Sequence, residues 1–328
     1  MEIVRGQHNI RSRHRGCVLT IGNFDGVHRG HQLLLERLSG QAAALDLPAV
    51  LLTFEPQPRE FFRGAAVPAR LTRFREKMLL LDAAGLERVV LLPFNDKVAA
   101  MSAEAVVDDL LQRDLAVRHL VVGDDFRFGQ GAQGDFALLE AAGERHGFSV
   151  ERCSTLLDGA DRISSTRVRE CLAAGDFEAA AQLLARPYAM LGRVVYGRQL
   201  GRQLGVPTAN VRLQRYRSPL SGVFAVTARV SSGAEYRGVA NVGVRPTVDG
   251  EEPLLEVHLF DFEGSLYGEL LCVTFRHKIR EEQTFDGLDA LKAQIARDIA
   301  AARDFLAATD YRSGLTVRMR LPTEPERN

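Results

Sequence analysis

A short apolar run, Cys17-Val18-Leu19-Thr20-Ile21, leads directly into Gly22-Asn23-Phe24-Asp25-Gly26-Val27-His28-Arg29-Gly30-His31-Gln32, and an amphipathic stretch follows. Strand, glycine-bearing loop and helix in that order constrain the fold more than any other feature of the chain. Two histidines three residues apart at a helix start fall on nearly the same face, and the first helical N–H groups and the macrodipole point to the same spot. Such geometry suits a polyphosphate. The loop is expected to hold the triphosphate of a nucleotide, with His28 and His31 stabilising the charge that develops as phosphorus is attacked. Taken singly, Gly-Asn and Asp-Gly are turn signals, and a histidine near a helix start is a surface residue. Their combination behind an apolar strand carries the reading.

From residue 17 to about 153, β-rich runs alternate with helical patterns. The strands are expected at Cys17–Ile21, Ala49–Phe54, Val89–Leu92, His119–Val122 and Phe148–Cys153. Between them, Leu33, Leu34, Leu38 and Ala42 share one helical stripe, and Met78, Leu79, Leu81 and Leu86 mark a second helical region. Apolar strands separated by helices imply a parallel sheet covered on both faces, with ligands beyond the carboxyl ends of its strands. The polar, turn-rich segments do follow the strands: the glycine loop, then Glu55–Glu60, then Gly123–Gly129, then Arg162–Arg169.

In the last of these, Ser164, Ser165 and Thr166 are good capping residues ahead of Val168 and Leu172, and Arg162 and Arg169 add donors for phosphate oxygens. Beside Asp125, Phe126 and Phe128 offer aromatic faces to a planar guest, although two such rings are more often core.

The chain has 328 residues, more than a single core usually supports, so two domains are expected, joined around residues 174–192. Phe177–Leu184 reads as an alanine-rich helix at the join. Beyond it, strand-like runs at Gly192–Tyr196, Val223–Val230, Tyr236–Val242, Leu254–Phe260 and Leu270–Phe275 predict a small antiparallel barrel or sandwich. A final helix over 286–307 carries Leu288, Leu291, Ile295, Ile299, Ala302 and Leu306 as a stripe expected to pack on the barrel. Residues 311–328 show little periodicity and read as a loose tail.

Within the barrel, Gly197–Asn210 holds Gly197, Gly201 and Gly205, two arginines and a closing Pro-Thr-Ala-Asn, a loop able to wrap phosphates through backbone N–H groups. It is not a Walker loop, having no Gly-Lys-Ser/Thr. Thr208 and Asn210 offer neutral oxygens suited to magnesium. In Leu254–Phe260, strand alternation puts Leu255, Val257 and Leu259 on one face and Glu256 and His258 on the other. That second face reads either as an ordinary solvated surface or as a carboxylate placed to take a proton from an attacking hydroxyl.

Lys plus Arg equals Asp plus Glu, 42 each, so no bulk charge argues for a nucleic-acid or membrane partner. The four cysteines, Cys17, Cys153, Cys171 and Cys272, form no Cys-x-x-Cys pair, which speaks against zinc or a disulfide framework. With no apolar run long enough to span a bilayer, a cytoplasmic protein is expected. The sequence assigns no oligomeric state.

Over essentially residues 1–310 the chain resembles the bacterial bifunctional riboflavin kinase/FAD synthetase family. The N-terminal resemblance rests on Gly22–His31, Gly123–Gly129 and Ile163-Ser164-Ser165-Thr166-x-x-Arg169. The C-terminal one rests on Gly205–Asn210, Asn241–Thr247, Glu256-Val257-His258, Leu266-Tyr267-Gly268 and Lys278-Ile279-Arg280-x-Glu282. It implies a Rossmann-like nucleotidyltransferase domain at 1–185 and a riboflavin kinase barrel at 186–310.

In the barrel, riboflavin and ATP would give FMN: Glu256 would be the base, Thr208 and Asn210 would hold Mg2+ and phosphates beside Gly201 and Gly205, and Arg280, Glu282 and Phe285 would face the flavin. In the first domain, FMN would attack the α-phosphorus of a second ATP to give FAD and pyrophosphate. Gly22, Asn23, Asp25, His28, His31, Arg162, Ser165, Thr166 and Arg169 would bind that ATP, and Asp125, Phe126 and Phe128 the FMN. Mg2+ would enter both sites with ATP. Gln57 stands where many members carry histidine, so no catalytic role is expected of it. The rival expectations are an FMN adenylyltransferase whose barrel only binds or docks, and, more remotely, a nucleic-acid binder.

Overall fold

A computed structural model gives the fold and describes residues 1–197, 201, 205–247 and 250–308. The expected tail and most of the loop between Gly197 and Gly205 lie outside the described residues. Two compact units emerge, one of Met1–Val67 with Lys77–Ser164, the other of Pro68–Glu76 with the chain from Ser165 onward.

The first unit is built on strands β1 (Glu2–Arg5), β2 (Cys17–Ile21), β3 (Ala49–Glu55), β4 (Arg88–Pro93), β5 (Val117–Gly123) and β6 (Ser149–Cys153). They form one sheet in the order β1-β4-β3-β2-β5-β6, with every neighbouring pair parallel. Its helices are α1 (Arg29–Leu45), α2 (Pro58–Arg63), most of α3 (Phe74–Ala83), α4 (Asp96–Ala99), α5 (Ala103–Ala105), which runs on as a π-helix through Asp114, and α6 (Phe136–His146).

All of β2 is buried, as helices on both faces of a parallel sheet require. Leu19, Val50, Val90, Leu111, Leu120 and Leu139 belong to one core cluster between sheet and helices. On α1 the buried stripe is Leu34, Leu35, Leu38 and Ala42, shifted by one residue from the expected one at its start.

Without β1, the order is that of a doubly wound sheet, in which strand order reverses at β2. The register pairs Thr20 with Val121, so β2 and β5 end side by side and their following loops open at the switch point. A short hairpin, β7 (Leu157–Asp158) and β8 (Asp161–Arg162), follows β6. Strand β1 is an addition to the expected five.

In the second unit, helices α7 (Ser165–Ala174) and α8 (Phe177–Leu184) precede a closed antiparallel barrel. Its strands are β9 (Ala189–Val195), β10 (Ala209–Arg212), β11 (Gly222–Arg229), β12 (Glu235–Thr247), β13 (Gly250–Leu259) and β14 (Leu270–Arg280), in the order β10-β13-β12-β11-β14-β9. Five strands were expected; the sixth, β10, pairs with both β13 and β9 and closes the barrel.

The last helix, α9, runs Leu288–Ala308. Its stripe divides: Ala302 and Leu306 pack on Val223, Ala225, Val239 and Phe260, whereas Leu288 is 60% exposed. The segment Pro68–Glu76 is pinned to the barrel by a buried ion pair. Arg215 donates to both Glu76 carboxylate oxygens at 2.8 Å, and Tyr188 Oη donates to Leu71 O at 3.0 Å.

Candidate active sites

The loop after β2 turns through left-handed backbone at Phe24 (φ 49°), Gly26 (φ 84°) and Val27 (φ 42°) before His28 caps α1. The cap is made by the imidazole itself: His31 N donates to His28 Nδ1 at 3.4 Å. The His28 and His31 rings stack with centroids 3.7 Å apart, and Phe24 stacks on the far side of His31 at 4.7 Å. Gly30 leaves the His28 ring uncrowded: a Cβ there would lie 3.2 Å from it, tighter than an ordinary contact. Asp25 and His28 are both buried. The sequence therefore places both histidines on one face of a helix N-terminus, where backbone N–H groups and dipole favour an anion.

Beside it, the loop after β5 is tied to the segment after β6. Asp124 accepts from Thr155 N at 3.1 Å and from Thr155 Oγ1, bonds that hold its carboxyl below the usual range. Asp125 accepts from Arg162 Nη1 at 2.6 Å. That bond, more than any other influence, lowers the Asp125 carboxyl and raises the Arg162 guanidinium. An expected phosphate donor and an expected flavin contact are thus paired with each other.

Phe126 and Phe128 stack with centroids 5.7 Å apart, Phe128 within the core cluster and Phe126 against it. Packing encloses Phe128, whereas Phe126 is only partly buried. Ser165, Thr166 and Arg169 lie on α7, in the other unit, where Arg169 Nε donates to Ala69 O at 2.5 Å. Gln57 is buried and precedes α2, its N–H donating to Glu60 at 2.9 Å.

The barrel unit carries a cavity of about 470 Å³ over the outer face of β12 and β13. Gly201, Thr208, Asn210, Glu256, Arg280, Glu282 and Phe285 all line it. Register explains the grouping. Glu256 stands directly opposite Asn210 on one side and Asn241 on the other, so three polar side chains from three strands share one face. Their intervening neighbours Val211, Val242, Leu255 and Val257 are buried.

Burial raises the Glu256 carboxyl above its ordinary value. His258 Nδ1 lies 2.9 Å from Pro207 O and holds the Pro207-Thr208 segment against β13. Gly201 permits the close approach of Val206 O, Gly205 sits at φ 78°, and a Cβ at Gly243 would collide with the Glu282 carboxylate.

At the far wall, Arg280 forms a bidentate pair with Asp298 of α9, with N···O distances of 2.7–3.1 Å, and lies over the Phe285 ring. Leu291 and Ile295, the unpacked part of the α9 stripe, line the same cavity. Asn241 figured only within the stretch Asn241–Thr247 that carries the resemblance, with no site role, and Asp298 was not singled out from the sequence. Asn241 was visible as a polar residue alternating with Ala240 and Val242; Asp298 gave no signal, since one aspartate on a long helix reads as solvated.

Thr208 and Asn210 supply oxygens of the hard kind that magnesium takes, on the same wall as a carboxylate. Among the described residues, no group of three or more His, Cys, Asp or Glu could hold a metal ion. Two neutral oxygens are too few to enclose an ion by themselves, so this donor set fits one that brings phosphate and water ligands with it.

Comparison with known proteins gives independent findings. The chain matches the FAD synthetase family model over residues 10–167 and the riboflavin kinase family model over residues 184–306. A bifunctional riboflavin kinase/FMN adenylyltransferase from Pseudomonas fluorescens is 52% identical over 314 residues, covering 95% of this chain and 100% of that one. The Escherichia coli (strain K12) protein of the same name is 49% identical over 310 residues, covering 94% and 99%. A crystal structure titled as a macrolide-efflux protein from Streptococcus pneumoniae is 30% identical, with a TM-score of 0.77, covering 93% of this chain and 99% of that one. Among the described residues, no helix of this chain is long and apolar enough to cross a membrane.

Proposed function

The chain belongs to the bifunctional riboflavin kinase/FMN adenylyltransferase family, and we propose that it makes FMN from riboflavin in the barrel and FAD from FMN at the glycine loop. The observation that carries the kinase half is Glu256 between Asn210 and Asn241 on the wall of the barrel cavity.

A carboxylate whose pKa is raised by burial is a better proton acceptor than a solvated one. In this reading Glu256 takes the proton of the ribityl hydroxyl as it attacks the γ-phosphorus of ATP, the bond from that phosphorus to the bridging oxygen breaks, and ADP leaves. Gly201 and Gly205 leave room for the phosphates, and Arg280, Glu282 and Phe285 border the flavin. Thr208 and Asn210 would hold Mg2+, which when bound would supply neutralisation of phosphate charge. Residues 186–310 form the kinase domain in this proposal and residues 1–185 the adenylyltransferase domain.

At the second site, the FMN phosphate attacks the α-phosphorus of ATP and pyrophosphate leaves. His28 and His31, stacked at the start of α1, stabilise the charge that builds on the triphosphate, beside Gly22, Asn23 and Asp25. Asp125, Phe126 and Phe128 border FMN; Arg162 reaches phosphate if it exchanges its Asp125 partner. Ser165, Thr166 and Arg169 are ATP contacts on the strength of the family resemblance alone. The four free cysteines, three of them buried, support a reducing, cytoplasmic setting.

Incubation with riboflavin, ATP and magnesium, followed by separation of the flavins, tests both halves. FMN and then FAD are expected. Absence of FMN refutes the kinase half, and FMN supplied directly but not converted to FAD refutes the other.

A further inference from the structure

Lys77, at 1% exposure, is among the largest side chains that the fold encloses completely. Lysine is almost never buried to this degree without partners, because its ammonium loses its hydration. Its Nζ donates to Asn23 O at 3.1 Å and to Thr53 Oγ1 at 3.2 Å. Thr53 lies on β3 and is itself fully buried; the residue before it, Leu52, accepts from Gly22 N at 3.1 Å. Lys77 therefore ties the carboxyl end of β3 to the second residue of the glycine loop.

We propose that Lys77 is a positioning residue for adenylyl transfer: the hydrogen bonds from its Nζ to Asn23 O and Thr53 Oγ1 fix the second residue of the loop that receives the ATP triphosphate. The proposal rests on the adenylyltransferase reading given above. Two observations support it. The loop holds Phe24 and Val27 in left-handed backbone, a conformation that non-glycine residues keep only where the surroundings over-determine it. Lys77 supplies one such restraint from beneath. Moreover, an unbranched apolar side chain would fill the same space without the desolvation cost, so packing alone does not account for an amine there.

The test is steady-state FAD formation from FMN at varied ATP, with full-length wild type, Lys77→Met, Lys77→Gln and Lys77→Arg. Lys77→Met is expected to raise KM for ATP at least tenfold while kcat falls less than threefold, and Lys77→Arg to bring KM back within threefold of wild type. FMN formation from riboflavin and the thermal midpoint are followed in the same preparations as measures of folding. KM for ATP within twofold of wild type in Lys77→Met overturns the proposal, as does a fall in kcat at unchanged KM. If the methionine variant does not fold, Lys77→Gln, whose shorter side chain keeps a donor but cannot span to both Asn23 O and Thr53 Oγ1, is judged by the same criteria. A wild-type protein unable to adenylylate FMN would instead overturn the reading on which the proposal rests, so the two failures are distinct.

Discussion

His28 both caps α1 and presents an imidazole to the anion site, and the two roles separate by substitution. His28→Asn keeps a side-chain oxygen able to cap the helix, worth about 1 kcal/mol, but removes the ring. Both His28→Asn and His28→Ala are expected to lower FAD formation by roughly 100-fold or more, the scale of losing a stabiliser of developing charge, while FMN formation holds. Separate assays from FMN and from riboflavin check this.

Glu256 gives the mirror result: Glu256→Gln should cut FMN formation by roughly 100-fold or more and spare FAD formation from FMN. The same substitution has a stability signature. Burial holds the carboxyl above its ordinary value of 4.5, so the folded protein bears a cost wherever Glu256 is charged. Below the ordinary value the residue is protonated both folded and unfolded and the cost is absent; it grows as pH rises through that value and levels off above the raised folded one. Glu256→Gln should therefore unfold at a higher temperature than wild type at neutral pH, and the difference should vanish in acid. Thermal melts across pH check the sign.

At the scale of elements, what could be read from the chain depended on how evenly an element is buried. Strand β2 was legible because both of its faces are covered, which leaves five apolar or neutral residues in a row. Strand β1 was not: it is an edge of four residues with only Val4 buried, and it reads as a polar terminus. Strand β10, Ala-Asn-Val-Arg, is too short to show alternation, and its membership comes from the partners on either side.

The α3 sequence Arg75-Glu76-Lys77 looks like a solvated charge run, yet Glu76 and Lys77 are each 1% exposed. Their partners, Arg215 and Asn23, are far away in sequence, and no local pattern announces such pairing. Motif residues of the barrel site were legible for the opposite reason, since Thr208, Asn210, Glu256 and Arg280 sit in compact local patterns. Asp298, which holds Arg280, was not. Asp298→Asn leaves the buried side of that guanidinium without its counter-charge, and the expected result is a roughly tenfold rise in KM for riboflavin with FAD formation from FMN unchanged. Glu76→Gln should destabilise the barrel unit by about 3 kcal/mol, because it leaves Arg215 charged and enclosed; chemical denaturation measures it.

For the molecule as a whole, the separability of the two chemistries is the remaining question. Every residue lining the barrel cavity belongs to one compact unit, and the two family matches fall on residue ranges that do not overlap. Neither Glu256 nor His28 needs the other's chemistry to complete its own step, since FMN is a stable product of the first reaction and a complete substrate of the second. A mixture of the His28→Ala and Glu256→Gln proteins should therefore carry riboflavin to FAD, although the first alone stops at FMN and the second alone makes almost nothing. In the mixture FMN must pass through solution, so it should accumulate first and FAD should appear after a lag that shortens as the share of Glu256→Gln protein is raised. Time courses of the separated flavins read both features. A mixture that makes FMN but no FAD would show that the adenylyl step requires FMN made within the same chain.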